Sequence, residues 1–243
     1  MLSGDVNRVS ACVRHPLGAM AVICAVIAAF NEERHVADVV AGTRAHVADV
    51  LVVDDGSSDE TAARAHKAGA RVVRHDRNRG KGSAVRTGLA HALHGPYSHV
   101  LFLDADLQHD PAEIPKLVER AEHGIGDLVL GERELVRHAM PAARYYSNVI
   151  GSRILSALIG AEVGDSQSGF RLIRTDCLRG VSLTGTGYEI ETEMLIKLVR
   201  AGARIERVRV GRLQYEGARS KIRPVRDTFR TCMLALAYRF FRR

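Results

Sequence analysis

The chain has 243 residues, of which 46% are hydrophobic and 5% aromatic, with no tryptophan. That length and apolar share fit one sizeable domain with a buried core and exclude a chain disordered throughout. The formal net charge of +7 points to anionic partners, while the scarcity of aromatics argues against a stacking platform for single-stranded nucleic acid.

At the N-terminus, Arg8 and Arg14 precede an apolar run from Leu17 to Phe30, the outline of a secretory signal. The run is too short to span a bilayer as a helix, and it contains what reads as the first core strand. Residues 1–18 are therefore expected to form a variable extension. Apolar, β-branched runs recur at 21–27, 50–53, 71–73, 100–103 and 127–130, and stretches with helical spacing lie between them at 33–46, 59–67, 83–93 and 112–122. This alternation predicts βα units, an α/β class and a mostly parallel sheet.

After residue 131 the rhythm changes. A helix is expected over 141–159, then a loop at 165–171 leading to a short strand, a helix over 189–199 and a strand over 205–210. Residues 211–224 are basic and without period, which closes a single domain at 19–224. The segment 225–243 reads as an amphipathic helix, with Phe229, Met233, Leu234, Leu236, Phe240 and Phe241 flanked by arginines. Such a helix suits a membrane interface; packing on the sheet or on a second subunit is the alternative. Cys12, Cys24, Cys177 and Cys232 form no metal spacing and read as reduced thiols, most of them buried.

Parallel sheets bind ligands beyond the carboxyl ends of their strands. The polar clusters fall there: Asn31-Glu32-Glu33, Asp54-Asp55-Gly56-Ser57-Ser58-Asp59 and Asp104-Ala105-Asp106-Leu107-Gln108. Asp59 is placed to cap a helix and Gly56 allows a tight turn. The pair Asp104 and Asp106, taken alone, is read equally as a capped turn before Pro111 or as a cation site, since a hard cation relieves the cost of burying two carboxylates. Asn78-Arg79-Gly80-Lys81-Gly82 enters a helix, and glycines with a cation at a helix start suit phosphate. It lacks the spacing of a P-loop.

In this order, together with Ala28-Ala29-Phe30, Gly131-Glu132-Arg133, Arg144 to Asn148, Asp165-Ser166-Gln167-Ser168-Gly169-Phe170-Arg171 and Arg219-Ser220-Lys221, these motifs resemble the family 2 glycosyltransferases with a GT-A fold. Within them the likeness is to dolichyl- and polyprenyl-phosphate mannose or glucose synthases, over roughly residues 20–225. Two departures stand out: Ala28 and Phe30 occupy positions where the family usually has proline and tyrosine.

The resemblance implies a single Rossmann-like GT-A domain and an inverting, metal-dependent transfer of a hexose to a lipid phosphate. The donor it implies is GDP-mannose or UDP-glucose. Asp104, Asp106 and Gln108 would face Mg²⁺ or Mn²⁺. Ala28, Phe30, Glu32, Asp54, Asp55, Lys81 and Ala105 would line the nucleotide side. Arg133, Arg144, Ser147, Gln167, Arg219 and Ser220 would lie near the donor diphosphate and the acceptor phosphate. A phosphate acceptor is already ionised, so no general base is required; a hydroxyl acceptor would need one, with Asp165, Glu191 and Glu193 as candidates. Partners implied are the nucleotide sugar, a polyprenyl phosphate and the cytoplasmic face of a membrane, with a second copy of the chain or a membrane protein left open, and no nucleic acid. A family 2 enzyme acting on a soluble or polysaccharide hydroxyl is the competing reading.

Overall fold

The computed structural model describes residues 21–124, 126–133 and 142–211, the side chains of Ala143 and Arg144 excepted. The expected extension at 1–18 and the C-terminal segment 225–243 lie outside the described residues.

The first half is a run of βα units: β1 (Ile23–Ala29), α1 (Val36–Arg44), β2 (Asp49–Asp54), α2 (Thr61–Lys67), β3 (Arg71–Arg74), α3 (Lys81–Leu93) and β4 (His99–Asp104). A single 3₁₀ turn at Pro111–Glu113 leads into α4 (Ile114–His123). The expected helix over 112–122 is split in this way because Pro111 and Pro115 each occupy a helix start, where a missing N–H costs nothing. The second half holds β5 (Leu128–Arg133), α5 (Ala142–Ile159), β6 (Arg171–Arg174), α6 (Thr175–Arg179), α7 (Glu189–Arg200) and β7 (Ile205–Val210). The short helix α6 has no sequence period long enough to announce it.

The seven strands form one sheet in the order β3-β2-β1-β4-β6-β5-β7. Every pairing is parallel except those of β6, which runs antiparallel between β4 and β5. Strand side chains alternate between two cores. Cys24, Val26, Val100, Phe102, Leu128 and Leu130 pack with residues of α3, α5 and α7. Ala25, Ile27, Leu101, Leu103 and Val129 pack on the other face with Val36, Val39, Ile114 and Leu117 of α1 and α4. Burial on both faces explains why these strands read as continuous apolar runs.

Strand order reverses between β1 and β4, so a crevice opens at their carboxyl ends. Register fixes what meets there. Ala28 pairs with Val53 on one side and with Asp104 on the other, and Ala29 pairs with Asp54. The three polar clusters therefore do share one sheet edge.

One cysteine reading is corrected. Cys24 is a buried free thiol, pushed up to about 11 by burial, but Cys177 is disulfide-bonded. Spacing along the chain could not reveal this, because a cystine depends on approach in space. Cys12 and Cys232 lie outside the described residues.

Candidate functional site

A cavity of about 350 Å³ occupies the crevice. The end of β1 supplies Ala28, Ala29, Phe30 and Glu32; the end of β4 supplies Asp104, Ala105, Asp106 and Gln108. Asp55 follows β2, Lys81 opens α3, Arg133 ends β5, and Tyr188 and Glu191 come from the start of α7.

Neither acid of the pair caps the helix that follows. Asp110, not Asp104 or Asp106, accepts the hydrogen bond from Ala112 N at 2.9 Å that starts the 3₁₀ turn. Leu107 has φ +57°, an uncommon conformation for a branched residue and a local strain of about 1–3 kcal/mol. That bend lets Gln108 double back on Asp106: its N donates to Oδ1 at 3.1 Å and its Nε2 to Oδ2 at 2.8 Å. Gly169 lies against the other acid, where an added Cβ would stand 2.6 Å from Asp104 Oδ2.

The two carboxylates titrate in opposite directions. Burial pushes Asp104 up, but the ammonium of Lys81, 2.6 Å from its Oδ1, outweighs this and leaves it below the ordinary carboxylate range. Asp106 is raised, first by burial and then by the charge of Asp104. Lys81 also contacts Glu191 Oε1 at 2.5 Å and lies 5.5 Å from the centroid of the Tyr188 ring. Burial raises Glu191, only partly offset by Lys81.

Arg133 is held from below. Its Nε and Nη2 donate to the two oxygens of Asp165 at 2.6 and 3.1 Å. Asp165 is fully buried and also accepts from Asn148 Nδ2 at 2.9 Å and from Gln167 N at 3.2 Å. Burial opposes ionisation of Asp165, yet the Arg133 guanidinium and these donors bring it down to about 2 from 3.8. A carboxylate depressed on folding stabilises above its unfolded value and loses that contribution as pH falls through the folded one. The pair is thus expected to contribute about 2 kcal/mol at neutral pH, lost between roughly pH 5 and pH 2. Urea unfolding across that range should show a shallower acid limb in Asp165→Asn; an unchanged limb would assign the acid sensitivity elsewhere.

The loop that carries Lys81 is fastened on two sides. Asp55 accepts from Arg79 N at 3.0 Å and Gly80 N at 2.8 Å, and its Oδ1 also meets His75 Nδ1 at 2.7 Å. Gly80 has φ +94°, and a Cβ there would lie 2.3 Å from Thr186 O. Gly82 N donates to that same carbonyl at 2.9 Å. The 184–187 loop is in turn held by Glu193, which accepts from Thr184 N and Gly185 N and pairs with Lys197 at 2.7 Å. Glu193 is brought down to about 2 by these partners despite burial.

Under the site, Arg171 is 1% exposed. It donates to the carbonyls of Ser168, Glu191 and Ser166 at 2.8, 2.6 and 3.1 Å, tying the 165–169 loop to α7. His109 packs on Phe170 at 5.3 Å between ring centroids. Burial, and next the charge of Arg133, push His109 down to about 3, so it is neutral.

Of the residues expected at the site, Ala28, Phe30, Glu32, Asp55, Lys81, Asp104, Ala105, Asp106, Gln108, Arg133 and Gln167 line the cavity. Asp54 does not. It is fully buried, takes hydrogen bonds from Ser57 N and Oγ and pairs with Arg74 at 3.2 Å, so it serves the turn after β2. Asp55 lines the wall, but its oxygens are engaged by the loop and His75. Ser147 sits in α5 and is not among the residues that line the cavity. Arg144 is also in α5, with its side chain outside the described residues, as are Arg219 and Ser220 entirely. Of the three candidate bases, Asp165 and Glu193 are bound up in structure, and only Glu191 reaches the cavity. Tyr188 carries no charge and belongs to none of the sequence motifs, and Arg171, although it closes the 165–171 motif, gives no sign in the sequence of the carbonyls it ties together.

Among the described residues no three acids, histidines or cysteines converge on one point. The donor set still fits a hard divalent cation. Mg²⁺ is commonly held by one or two carboxylates together with substrate phosphates, and Asp104 and Asp106 both line the cavity wall beside the amide of Gln108.

Residues 24–181 match the family model described as Glycosyl transferase family 2. The chain is 32% identical over 213 residues to glycosyltransferase AglJ of Haloferax volcanii, covering 84% of this chain and 68% of that protein. It is 31% identical over 185 residues to the undecaprenyl-phosphate mannosyltransferase of Micrococcus luteus, covering 72% and 75%. Among solved structures, glucosyl-3-phosphoglycerate synthase of Mycobacterium tuberculosis, bound to Mn²⁺, UDP and glucosyl-3-phosphoglycerate, superimposes with TM-score 0.72 at 26% identity, over 90% of this chain and 80% of that one. With its βα half, its reversed strand β6 and its acid pair beyond β4 all inside or beside the matched span, the chain belongs to glycosyl transferase family 2.

Proposed function

We propose that the protein transfers a hexose from a nucleotide diphosphate sugar to a polyprenyl phosphate, with inversion at the anomeric carbon. The observation that carries this reading is the cavity beyond β1 and β4, where the paired acids Asp104 and Asp106 face the cations Lys81 and Arg133. Asp104, Asp106 and Gln108 would hold the metal. When bound, Mg²⁺ or Mn²⁺ neutralises charge on the leaving diphosphate. Glu32, Phe30 and the Asp55 wall receive the nucleoside side. Arg133, pre-set by Asp165, orients an anion against the donor at no further cost in side-chain freedom.

An ionised phosphate needs no base to attack, which agrees with Asp165 and Glu193 being committed to structural partners. Relatives named as polyprenyl-phosphate sugar transferases support the acceptor class. A polyprenyl tail stays in lipid, so the enzyme would work at a membrane surface, with 225–243 as the proposed contact. Among the described residues no helix is long and apolar enough to cross a membrane.

A hydroxyl acceptor is the second reading, favoured by one observation: Glu191 lies in the cavity with its carboxyl raised by burial. Radiolabelled GDP-mannose and UDP-glucose, each offered with polyprenyl phosphate or with 3-phosphoglycerate, decide between them. The lipid reading expects label in the organic extract that is abolished by EDTA. Label only in a water-soluble product, from folded enzyme, would overturn it in favour of the hydroxyl acceptor.

A further inference from the structure

We propose that Lys81 and a divalent cation compete for the Asp104 carboxylate, and that a nucleoside diphosphate relieves the competition by accepting the Lys81 ammonium. Metal and donor would then bind as a coupled pair. The inference rests on the reading of Asp104 and Asp106 as metal ligands.

Lys81 Nζ stands 2.6 Å from Asp104 Oδ1 and 2.5 Å from Glu191 Oε1. A divalent cation on that oxygen would sit against the ammonium, and in a half-buried cavity such like-charge contact is weakly screened. One of the two must give way. Arg133 is not the group that moves, because Asp165 grips its Nε and Nη2. The Lys81 backbone does not move either: Asp55 holds Gly80 N at 2.8 Å and Thr186 O holds Gly82 N at 2.9 Å. What remains mobile is the four-carbon stem, whose head can rotate away from Asp104 while keeping Glu191 and the Tyr188 ring face. A diphosphate entering the cavity that Lys81 lines offers the ammonium a new anion. Asp104 is then released to the metal. By linkage, whatever the nucleotide gains from the metal, the metal gains from the nucleotide.

The test is Mn²⁺ titration of the whole protein, read by electron paramagnetic resonance of free Mn²⁺, with and without GDP or UDP. The quantity that matters is the ratio of Mn²⁺ affinities with and without nucleotide. A fixed ammonium would weaken both affinities equally, so its removal would leave the ratio unchanged. A displaced ammonium weakens only the nucleotide-free affinity. Lys81→Met is therefore expected to tighten nucleotide-free Mn²⁺ binding roughly tenfold and to lower the ratio by about the same factor. Glu191→Gln has the opposite expected sign. It leaves Asp104 as the ammonium's carboxylate partner, so nucleotide-free Mn²⁺ binding weakens and the ratio rises. If Lys81→Met fails to fold, this second variant carries the test. An unchanged ratio in the folded variants would overturn the proposal and make Lys81 a fixed charge. Wild-type protein that binds no Mn²⁺ with either nucleotide would instead overturn the metal reading itself.

Discussion

Replacing Asp106 by asparagine is expected to cut sugar transfer by roughly 10²–10³-fold while leaving the fold at least as stable as the parent. The two effects have one cause. Burial and the neighbouring Asp104 charge raise Asp106, so at neutral pH its ionised form opposes folding. An amide of the same shape removes that repulsion and keeps a hydrogen-bond acceptor for Gln108. It also removes the negative charge with which the site would hold a cation. Activity bought at the expense of stability is the pattern of a functional residue. Initial rates at saturating donor, beside thermal melts in EDTA, check both halves. A variant that lost stability together with activity would mark Asp106 as a structural residue.

Arg171→Met is expected to destabilise the protein by about 3–5 kcal/mol. The arginine is almost fully buried and its three donors satisfy carbonyls of Ser166, Ser168 and Glu191. Methionine has similar reach but no N–H, so these acceptors would be left in a dry interior. Its charge does not add to this loss: burial outweighs the field of Glu191, Asp165 and Asp104 and lowers the guanidinium, so the expected cost comes from the three carbonyls. Because the tethered segments bring Gln167 and Glu191 to the cavity, donor binding should weaken along with stability. Guanidinium unfolding with a matched donor titration measures both. A loss below about 1 kcal/mol would show that solvent replaces the arginine at these carbonyls.

Most of the first half of the fold is legible in the chain. Strands buried on both faces must be apolar throughout, and β1, β2 and β4 appear as such runs with polar clusters directly after them. That pattern is enough to place Glu32, Asp55, Asp104 and Asp106 on one edge. The reversal of β6 is not legible, because Arg171–Arg174 is too short to show which neighbour it pairs with. The disulfide of Cys177 is hidden for a similar reason: its spacing along the chain says nothing of approach in space.

The site divides in the same way. Adjacent acids look equivalent in sequence, yet Asp54 turns into the β2 turn and Asp55 into the loop before α3. Glu191 and Glu193 are both acids on the first turns of α7, but helical rotation sends one to Lys81 and the other to the 184–187 loop. What the sequence by itself determined is the α/β class, the edge of the sheet that carries the chemistry and the acid pair at its centre, because strand burial and strand-end polarity are local properties. Only the tertiary structure decided which carboxylates face the cavity and which are spent on holding it, and that Lys81 lies on Asp104. Those outcomes depend on contacts between residues as far apart as Lys81 and Glu191, and on the direction each side chain takes once the backbone is packed.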